Sequence, residues 1–232
     1  MVPLQPSSDP YKCIAQFFPL FGRLMEGFLG GIRKDLADIL GKHDLSRILD
    51  LGCGAGDLSR ILTDQGFRPV CIDISPSMLH YARAAADQPT PFPLVLADGG
   101  RLPFKPMFDA AVLRFVFHEM DAVLRERVWD ELEKTIRPGG LLILIDFTVP
   151  EKPGIYSRLG NAVIHYIEHR MDAIYPPHYY NYSEFMKTGG ASAWVARRAA
   201  SVAVSRRYFG GNLGLIAVRI TGRVPARSLT DL

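Results

Sequence analysis

The amino-acid sequence predicts an α/β protein built on a seven-stranded, mostly parallel sheet with one antiparallel strand, helices on both faces and a helical lid. Three observations lead to this prediction. Five short apolar runs alternate with segments of helical periodicity between residues 47 and 147. Two more apolar runs, joined by a Gly-Gly-Asn turn, follow at residues 201–221. A long segment, residues 151–199, separates the two sets, and insertions of this length are usually functional.

The predicted strands are short apolar runs bounded by turn residues. They are RILDLG (47–52), PVCIDIS (69–75), FPLVLAD (92–98), FDAAVLRF (108–115), LLILIDF (141–147), SVAVSRRYF (201–209) and LGLIAVRIT (213–221). The helical segments between the first five are DLSRILTDQG, SPSMLHYARAAAD and RERVWDELEKTIRPGG, the last with a Pro-Gly-Gly stop. The glycine-rich turn between the last two strands predicts a hairpin, so at least one of them runs antiparallel to the rest. Residues 11–40 have helical spacing, with a break near Pro19.

Composition limits the class of protein. At 232 residues and 48% hydrophobic, the chain can bury the core of one compact domain. No apolar run is long enough to span a bilayer, and no secretory signal pattern opens the sequence. Cys13, Cys53 and Cys71 are few and far apart, which favours free thiols in a reducing compartment. We therefore expect a cytoplasmic protein, and the sequence does not predict its oligomeric state.

Positive charge is concentrated in the C-terminal third. Residues 151–232 hold 11 Lys and Arg against 5 Asp and Glu, whereas residues 1–150 hold 16 against 19. Much of this charge comes from Arg197, Arg198, Arg206, Arg207, Arg219, Arg223 and Arg227. Because they are scattered, they are typical of a solvated face, and contact with an anionic acceptor or with an acidic membrane surface is the alternative.

A glycine-rich loop follows the first predicted strand in LDLGCGAGD, residues 49–57. Gly52, Gly54 and Gly56 allow tight backbone angles and let a ligand lie directly on the backbone. The third glycine comes one position too early for a dinucleotide fingerprint. Asp50 would place negative charge beside a pyrophosphate, so the loop favours a ligand that carries positive charge.

Two acids follow the next two strands. Asp73 ends the second strand, 17 residues after Gly56, where a carboxylate can accept hydrogen bonds from both ribose hydroxyls. Asp98 follows the third strand and could accept from an adenine amino group, although a strand-end role explains it equally well. Together with the loop, these acids predict a nucleoside site at the carboxyl edge of the sheet.

Five motifs in order carry a resemblance to a known family: ILDLGCGAGDLS, IDISPSML, ADGGRLPF, FDAAVLRFVFHEM and RPGGLLILIDF. They resemble the motifs of class I S-adenosylmethionine-dependent methyltransferases, whose fold is Rossmann-like. Within that superfamily the chain is most similar to the ubiquinone/menaquinone-biosynthesis C-methyltransferases. The likeness extends to DFTVPEKPG and to YFGGNLGLIAVR.

The resemblance implies a cofactor, S-adenosyl-L-methionine, and a role for each matching residue. Gly52 and Gly54 would lie against its methionine part, Asp73 would hold the ribose, and Ile74 and Met78 would flank the adenine. Asp98 would take the adenine amino group, and Gly99 would line the same pocket with its backbone. Arg33, in GIRKDL, matches a basic position that can meet the methionine carboxylate, and a surface salt bridge is the alternative.

The residues after the fourth strand depart from the quinone methyltransferases. Those enzymes tend to carry an Arg-Asn pair where this chain has His118-Glu119. We expect His118 to act as a general base or to orient the acceptor, and capping of the next helix is the alternative. The expected partner is a small, lipophilic acceptor, with a demethylmenaquinone-like quinol as first choice. Another small molecule, a phospholipid headgroup or a non-catalytic cofactor-binding role are the alternatives.

The expected organisation is an N-terminal helical lid (1–42), a cofactor-binding core (43–150), an acceptor-side insertion (151–199) and a C-terminal hairpin (200–223). Aromatic residues of the two lid segments are expected to enclose the acceptor or simply to pack on the sheet. They are Phe17, Phe18, Phe21, Phe28, Tyr156, Tyr166, Tyr175, Tyr179, Tyr180 and Tyr182. No nucleic acid is expected, because the chain lacks a continuous basic tract and the Asn/Asp-Pro-Pro-aromatic motif.

The insertion also contains His165, Glu168 and His169 in H-x-x-E-H order, a spacing that some zinc hydrolases use. A zinc site would need a third ligand, for which His178 or Glu184 are available. Nothing else in the sequence requires a metal, so no metal is expected. The face of the helix that carries these residues then looks either into the acceptor chamber or into solvent beside Arg170.

Overall fold

Seven strands form one sheet in the computed structural model, which describes residues 9, 11–12, 18–85, 91–171, 177–199 and 201–221. The strands are β1 (Arg47–Leu51), β2 (Arg68–Asp73), β3 (Leu94–Leu96), β4 (Phe108–Arg114), β5 (Ile136–Phe147), β6 (Val202–Tyr208) and β7 (Leu213–Arg219). The helices are α1 (Phe18–Lys42), α2 (Asp57–Asp64), α3 (Pro76–Ala85), α4 (Ala122–Thr135), α5 (Ile155–Met171), α6 (Pro177–Lys187) and α7 (Gly190–Arg198).

The strand order is β3-β2-β1-β4-β5-β7-β6. The first five strands pair in parallel, β7 pairs antiparallel with β5, and β6 pairs antiparallel with β7. The predicted fold class is thereby confirmed, with β7 as the one strand that runs against the rest. The chain order reverses between β1 and β4, so the loops after these strands form a crevice at the carboxyl edge of the sheet.

Apolar side chains cover both faces of the central strands. In β5, Leu142 and Leu144 pack with residues of α4 and α7, whereas Leu141, Ile143 and Ile145 pack with residues of α1 and α2. This two-sided burial explains why the central strands are almost continuously apolar in sequence. A short 3₁₀ turn, Phe209–Gly211, joins β6 to β7 in place of a simple hairpin turn.

The start of β5 differs from the prediction. The Pro-Gly-Gly sequence was expected to end the preceding helix, but α4 ends at Thr135 and β5 begins at Ile136, with a shift in its register to β4. Gly139 has a positive φ of 86°, and a Cβ on Gly140 would come within 2.5 Å of the Asp109 carbonyl oxygen. These glycines therefore allow an irregularity within the strand. The helical periodicity of the preceding residues gave no sign that the strand starts before them.

The insertion contains α5, α6 and α7, but α7 belongs to the core layer. Trp194 of α7 packs 4.7 Å from the rings of Phe117 and Trp129, measured between ring centroids. Phe185 of α6 belongs to the same apolar core cluster, so α6 is also partly a core helix. The predicted boundaries at residues 42, 150 and 199 stay predictions.

At the N-terminal side, α1 begins at Phe18, with Pro19 in its first turn, where a missing N–H costs nothing. Phe17 and Tyr175 lie outside the described residues, and the side chains of Phe18, Phe21 and Phe28 are likewise outside the description. No helix within the described ranges is long and apolar enough to cross a bilayer.

Candidate functional site

The glycine-rich loop turns sharply from β1 into α2. Gly52, Gly54 and Gly56 all have positive φ, at 69°, 54° and 75°. A Cβ on Gly52 would come within 2.6 Å of the Val116 side chain, so no larger residue fits there. A Cβ on Gly54 would meet no protein atom within 4 Å. The backbone of Gly54 therefore faces open space, as a ligand-binding loop requires.

Asp73 holds this loop in place from the end of β2. Its Oδ2 accepts a hydrogen bond of 2.8 Å from Gly54 N–H, and its Oδ1 accepts one of 2.9 Å from Ser75 N–H. Burial raises the pKa of Asp73 to about 6, although both backbone hydrogen bonds act to lower it. At neutral pH the group is a carboxylate with lone pairs left to accept from a ligand hydroxyl.

Asp50 is almost fully buried, and its carboxylate accepts a 2.7 Å hydrogen bond from Ser59 Oγ of α2. Burial raises the pKa of Asp50, and the cation of Arg114 opposes this. Burial lowers the pKa of Arg114, Asp50 raises it and Arg33 lowers it again. Arg33, Asp50 and Arg114 therefore interact electrostatically beside the loop. Arg114 was missed in the sequence because an Arg at a strand end carries no motif.

The predicted adenine-side residues follow β2 and β3. Ile74 is 45% exposed, whereas Met78 is buried in α3. Asp98 accepts a 2.8 Å hydrogen bond from Gly100 N–H, which makes it part of its own turn. A Cβ on Gly99 would lie 3.3 Å from Leu51, so this glycine packs against the core. The assignment of these residues to an adenine pocket stays a prediction.

The N-terminal segment contacts two parts of this edge. Asp9 accepts hydrogen bonds from Ser75 Oγ at 2.8 Å and from Ser77 N–H at 3.1 Å, at the start of α3. The Tyr11 hydroxyl donates to the Glu119 carboxylate. Spacing along the sequence does not reveal contacts between segments so far apart in the chain, so neither Asp9 nor Tyr11 was among the predicted site residues.

His118 lies buried beyond the carboxyl end of β4. Its Nδ1 is 2.7 Å from Asp146 Oδ1, near the end of β5. Asp146 Oδ2 also accepts from the backbone N–H groups of Phe117 and His118, at 2.9 and 3.2 Å. Burial acts to lower the pKa of His118, but Asp146, then Glu168 and Glu119, raise it to about 9. His118 is therefore an imidazolium at neutral pH when no ligand is bound.

A second histidine–carboxylate pair faces the first. His178 of α6 and Glu168 of α5 form a buried contact of 2.5 Å between Nε2 and Oε2. Glu168 Oε2 also lies 3.6 Å from His118 Nε2, and His178 Nδ1 lies 3.9 Å from Glu119 Oε1. Two histidines and three carboxylates from four elements of the chain thus form one cluster, which we call the His118 cluster: His118, Glu119, Asp146, Glu168 and His178.

Of the three H-x-x-E-H residues, Glu168 belongs to the His118 cluster, and the two histidines contact tyrosines instead. Glu168 points inward, whereas the rings of His165 and His169 pack against Tyr182 and Tyr179, at 5.2 and 4.9 Å between centroids. Of the predicted third ligands, His178 meets Glu168 and Glu184 pairs with Lys187.

A different set of residues satisfies metal geometry within the described part of the chain. His118, Glu119 and His178 each offer one ligand atom, and these atoms lie within 4.8 Å of one another. Asp146 contacts Nδ1 of His118, and Glu168 contacts Nε2 of His178, so each ring keeps one nitrogen for another partner. Such carboxylate–histidine pairs are found both in proton networks and in metal sites. The expectation that no metal is bound stays a prediction.

The aromatic residues of the predicted lid segments fall into a buried group and an exposed group. Tyr182 is fully buried, with its ring 6.0 Å from that of His118, and the Tyr179 ring packs 6.1 Å from Tyr182. Tyr156, Tyr166 and Tyr180 are instead largely exposed, so the prediction is wrong for these three. The Tyr182 hydroxyl has no hydrogen-bond partner among the described residues, and burial raises its pKa.

Three of the five described C-terminal arginines are paired with acids of the same chain. Arg198 contacts Glu126 and Asp130, Arg206 contacts Asp35, and Arg207 contacts Glu151. Arg223 and Arg227 lie outside the described residues. These ion pairs favour the solvated-face interpretation of the basic C-terminal part.

Comparison with known proteins finds a family match for the part of the chain that contains the glycine loop. Residues 49–144 match the family model described as a methyltransferase domain. This part of the chain is similar to methyltransferase domains. The predicted resemblance to class I S-adenosylmethionine-dependent methyltransferases is thereby confirmed.

Two curated relatives show how far the similarity reaches. A demethylmenaquinone methyltransferase of Thermus thermophilus is 33% identical over 52% of this chain and 56% of its own length. A ubiquinone/menaquinone biosynthesis C-methyltransferase of Nitrosospira multiformis is 30% identical over 62% of this chain and 60% of its own. The chain therefore spans little more than half the length of these relatives.

A solved structure resembles this chain over more of its length than the two curated relatives do. The PH0226 protein of Pyrococcus horikoshii OT3 superposes with a TM-score of 0.61 and covers 85% of this chain and 90% of its own, at 17% identity. At that identity the likeness concerns the fold alone.

Proposed function

We propose that the protein transfers a methyl group from S-adenosyl-L-methionine to a small, lipophilic acceptor. The acceptor's nucleophilic atom attacks the methyl carbon, the carbon–sulfur bond breaks, and S-adenosylhomocysteine leaves. Because the sulfonium carbon is already electrophilic, positioning of donor and acceptor can supply about 7–11 kcal/mol. The buried His118 cluster, at the same sheet edge as the glycine loop, is the observation that carries this proposal.

The cofactor would lie across the glycine loop. Gly52 and Gly54 would contact its methionine part, Gly56 would start α2, and Asp73 would accept from the ribose hydroxyls with lone pairs that remain beside its bonds to Gly54 and Ser75. Ile74, Met78, Asp98 and Gly99 would line the adenine end. Asp50 supports the loop through Ser59, and Arg33 would meet the methionine carboxylate.

His118 would handle the acceptor's proton. As a base it must be neutral, whereas in the ligand-free protein its pKa of about 9 keeps it protonated at neutral pH. The positive charge of a bound sulfonium disfavours a second cation nearby, so cofactor binding should lower the pKa of His118. Asp146 would hold the ring so that Nε2 faces the acceptor, as in other histidine–carboxylate pairs.

The Tyr182 hydroxyl offers a second contact to the acceptor. It is buried, lies near His118 and has no partner among the described residues. A buried donor of this kind gains free energy when a ligand oxygen satisfies it. We therefore propose that Tyr182 donates a hydrogen bond to an acceptor oxygen.

A demethylmenaquinone-like quinol is the first choice of acceptor, because demethylmenaquinone and ubiquinone/menaquinone methyltransferases recur among the relatives. His118-Glu119, in place of the expected Arg-Asn pair, keeps a different small molecule or a phospholipid headgroup as alternatives. A protein that binds the cofactor without transferring the methyl group is the non-catalytic alternative.

The test is transfer of labelled methyl from S-adenosylmethionine into a lipid and small-molecule extract, followed by identification of the labelled product. We expect label in an organic-soluble product, and His118→Ala should abolish it while cofactor affinity stays nearly unchanged. Cofactor binding without transfer to any component of a broad acceptor panel would contradict the proposal.

A further inference from the structure

One face of helix α5 exposes a continuous apolar surface. Ile155, Leu159, Val163 and Tyr166 follow each other at spacings of four, four and three residues, which places them on one side of a helix. Tyr156 and Ile167 extend the same side. We call these six residues the α5 apolar face. Five of them are between 58% and 85% exposed, and Ile167 is 37% exposed. Soluble monomers usually expose apolar side chains singly, whereas these six are contiguous.

The opposite side of α5 packs on the protein. Ser157 and Glu168 are buried, and Ile164 packs against the core on the α1 side of the sheet. The helix therefore contacts the protein through Ser157, Ile164 and Glu168, whereas most of its large apolar residues face outward. Packing within the described part of the chain does not explain this arrangement, so it points to a partner.

Charge around the α5 apolar face indicates the kind of partner. Lys152, Arg158 and Arg170 are exposed and pair with no acid among the described residues. Glu168, the acid within α5, is buried in the His118 cluster, and Glu151 pairs with Arg207. An outward face of aliphatic and tyrosine residues with unpaired cations is the pattern of helices that lie in the interface of an anionic membrane.

We propose that α5 docks the protein onto an anionic lipid surface through the α5 apolar face, with Lys152, Arg158 and Arg170 contacting headgroups. The docking surface differs from the arginines of the C-terminal part, several of which are paired with acids. If the proposed function holds, a lipophilic acceptor would reach the His118 cluster from the membrane, because Glu168 lies on the inner side of the same helix.

Lipid binding can be tested without any activity assay. Co-sedimentation of the full chain would be measured with phosphatidylglycerol vesicles and, separately, with phosphatidylcholine vesicles. We expect binding to the anionic vesicles that weakens as salt is raised, and much weaker binding to the neutral ones. Because this readout does not involve methyl transfer, its failure would be distinguishable from failure of the proposed function.

Two kinds of variant separate the apolar and the charged contributions. Leu159→Asp with Val163→Asp should reduce binding by more than about tenfold. Arg158→Ala and Arg170→Ala should each reduce it by about fivefold. Val123→Asp is the matched control, because Val123 is equally exposed but lies on α4, and it should bind as the unaltered chain does.

Three results would overturn the proposal. The first is equal binding to both kinds of vesicle in all variants, and the second is absence of binding to either. The third is a stable dimer in solution that Leu159→Asp dissociates, which would assign the face to a second copy of the chain. Tyr156→Ser with Tyr166→Ser removes apolar contacts from largely exposed positions and serves if the aspartate variants do not fold.

Discussion

Replacing Asp146 by Asn should change the protonation of His118 more than any other single substitution at the site. Asp146 Oδ1 lies 2.7 Å from His118 Nδ1 and is the largest of the influences that raise the pKa of His118 to about 9. Relative to the ordinary value of 6.5, this corresponds to about 3 kcal/mol in favour of the imidazolium. Only about 1% of His118 is then neutral at pH 7 in the ligand-free protein.

In Asp146→Asn the charge that holds the proton is gone, while burial still disfavours the cation. We expect the pKa seen in the pH dependence of kcat/KM to fall by at least about 1.5 pH units. The maximal rate should also fall, by about 100- to 10,000-fold, because Asn cannot accept both from the His118 ring and from the backbone N–H groups of Phe117 and His118.

The assay is methyl transfer measured from pH 6 to about pH 10, beside a direct NMR titration of His118 in the ligand-free protein. Asp130→Asn is the matched control, since Asp130 pairs with Arg198 at the surface, and its profile should equal that of the unaltered chain. An unchanged pKa of about 9 in Asp146→Asn would refute the assignment of that charge as the cause.

The raised pKa of His118 also predicts how the free energy of unfolding depends on pH. Because the pKa of His118 is raised in the folded state, its contribution to the free energy of unfolding is present below about pH 6.5 and is lost as pH rises through about 9. Urea unfolding on both sides of this range should show the loss in the unaltered chain and a much smaller one in Asp146→Asn.

Three further predictions concern the cofactor, the acceptor and the metal. Gly54→Ala should weaken cofactor binding by about tenfold or more. The fold should persist, because the new methyl group enters open space above a backbone with positive φ. Calorimetry with S-adenosylhomocysteine measures the affinity, and an unchanged value would exclude a ligand at Gly54. Tyr182→Phe should raise KM for the acceptor by about tenfold with little change in cofactor affinity, and an unchanged KM would remove Tyr182 from the acceptor site. Chelator treatment should leave the transfer rate unchanged if His118 acts on a proton; stoichiometric zinc by elemental analysis, together with a lost rate, would assign His118, Glu119 and His178 to a metal.

Much of the fold could be predicted because its signals are local. The alternation of apolar runs with helical periodicity gave the parallel sheet, and the Gly-Gly-Asn turn gave the antiparallel strand. The helix end at Pro-Gly-Gly was wrong because local stop signals do not reveal that β5 starts early and pairs with β4 through an irregular register. α7 was assigned to the lid for a related reason: the packing of Trp194 on Trp129 joins residues far apart in sequence.

For the candidate site, the sequence by itself predicted the glycine loop, Asp73 and His118, since a sharp turn and a strand end leave recognisable residues at defined positions. Only the tertiary structure decided which groups meet His118. Asp146, Glu168 and His178 come from three other elements, and Glu168 was noticed only as part of a zinc-like spacing. The inward direction of Glu168 and the outward direction of Ile155, Leu159 and Tyr166 depend on how α5 rotates against the sheet. Helical periodicity specifies that α5 has two unlike faces, but the packing of the whole chain determines which face is buried.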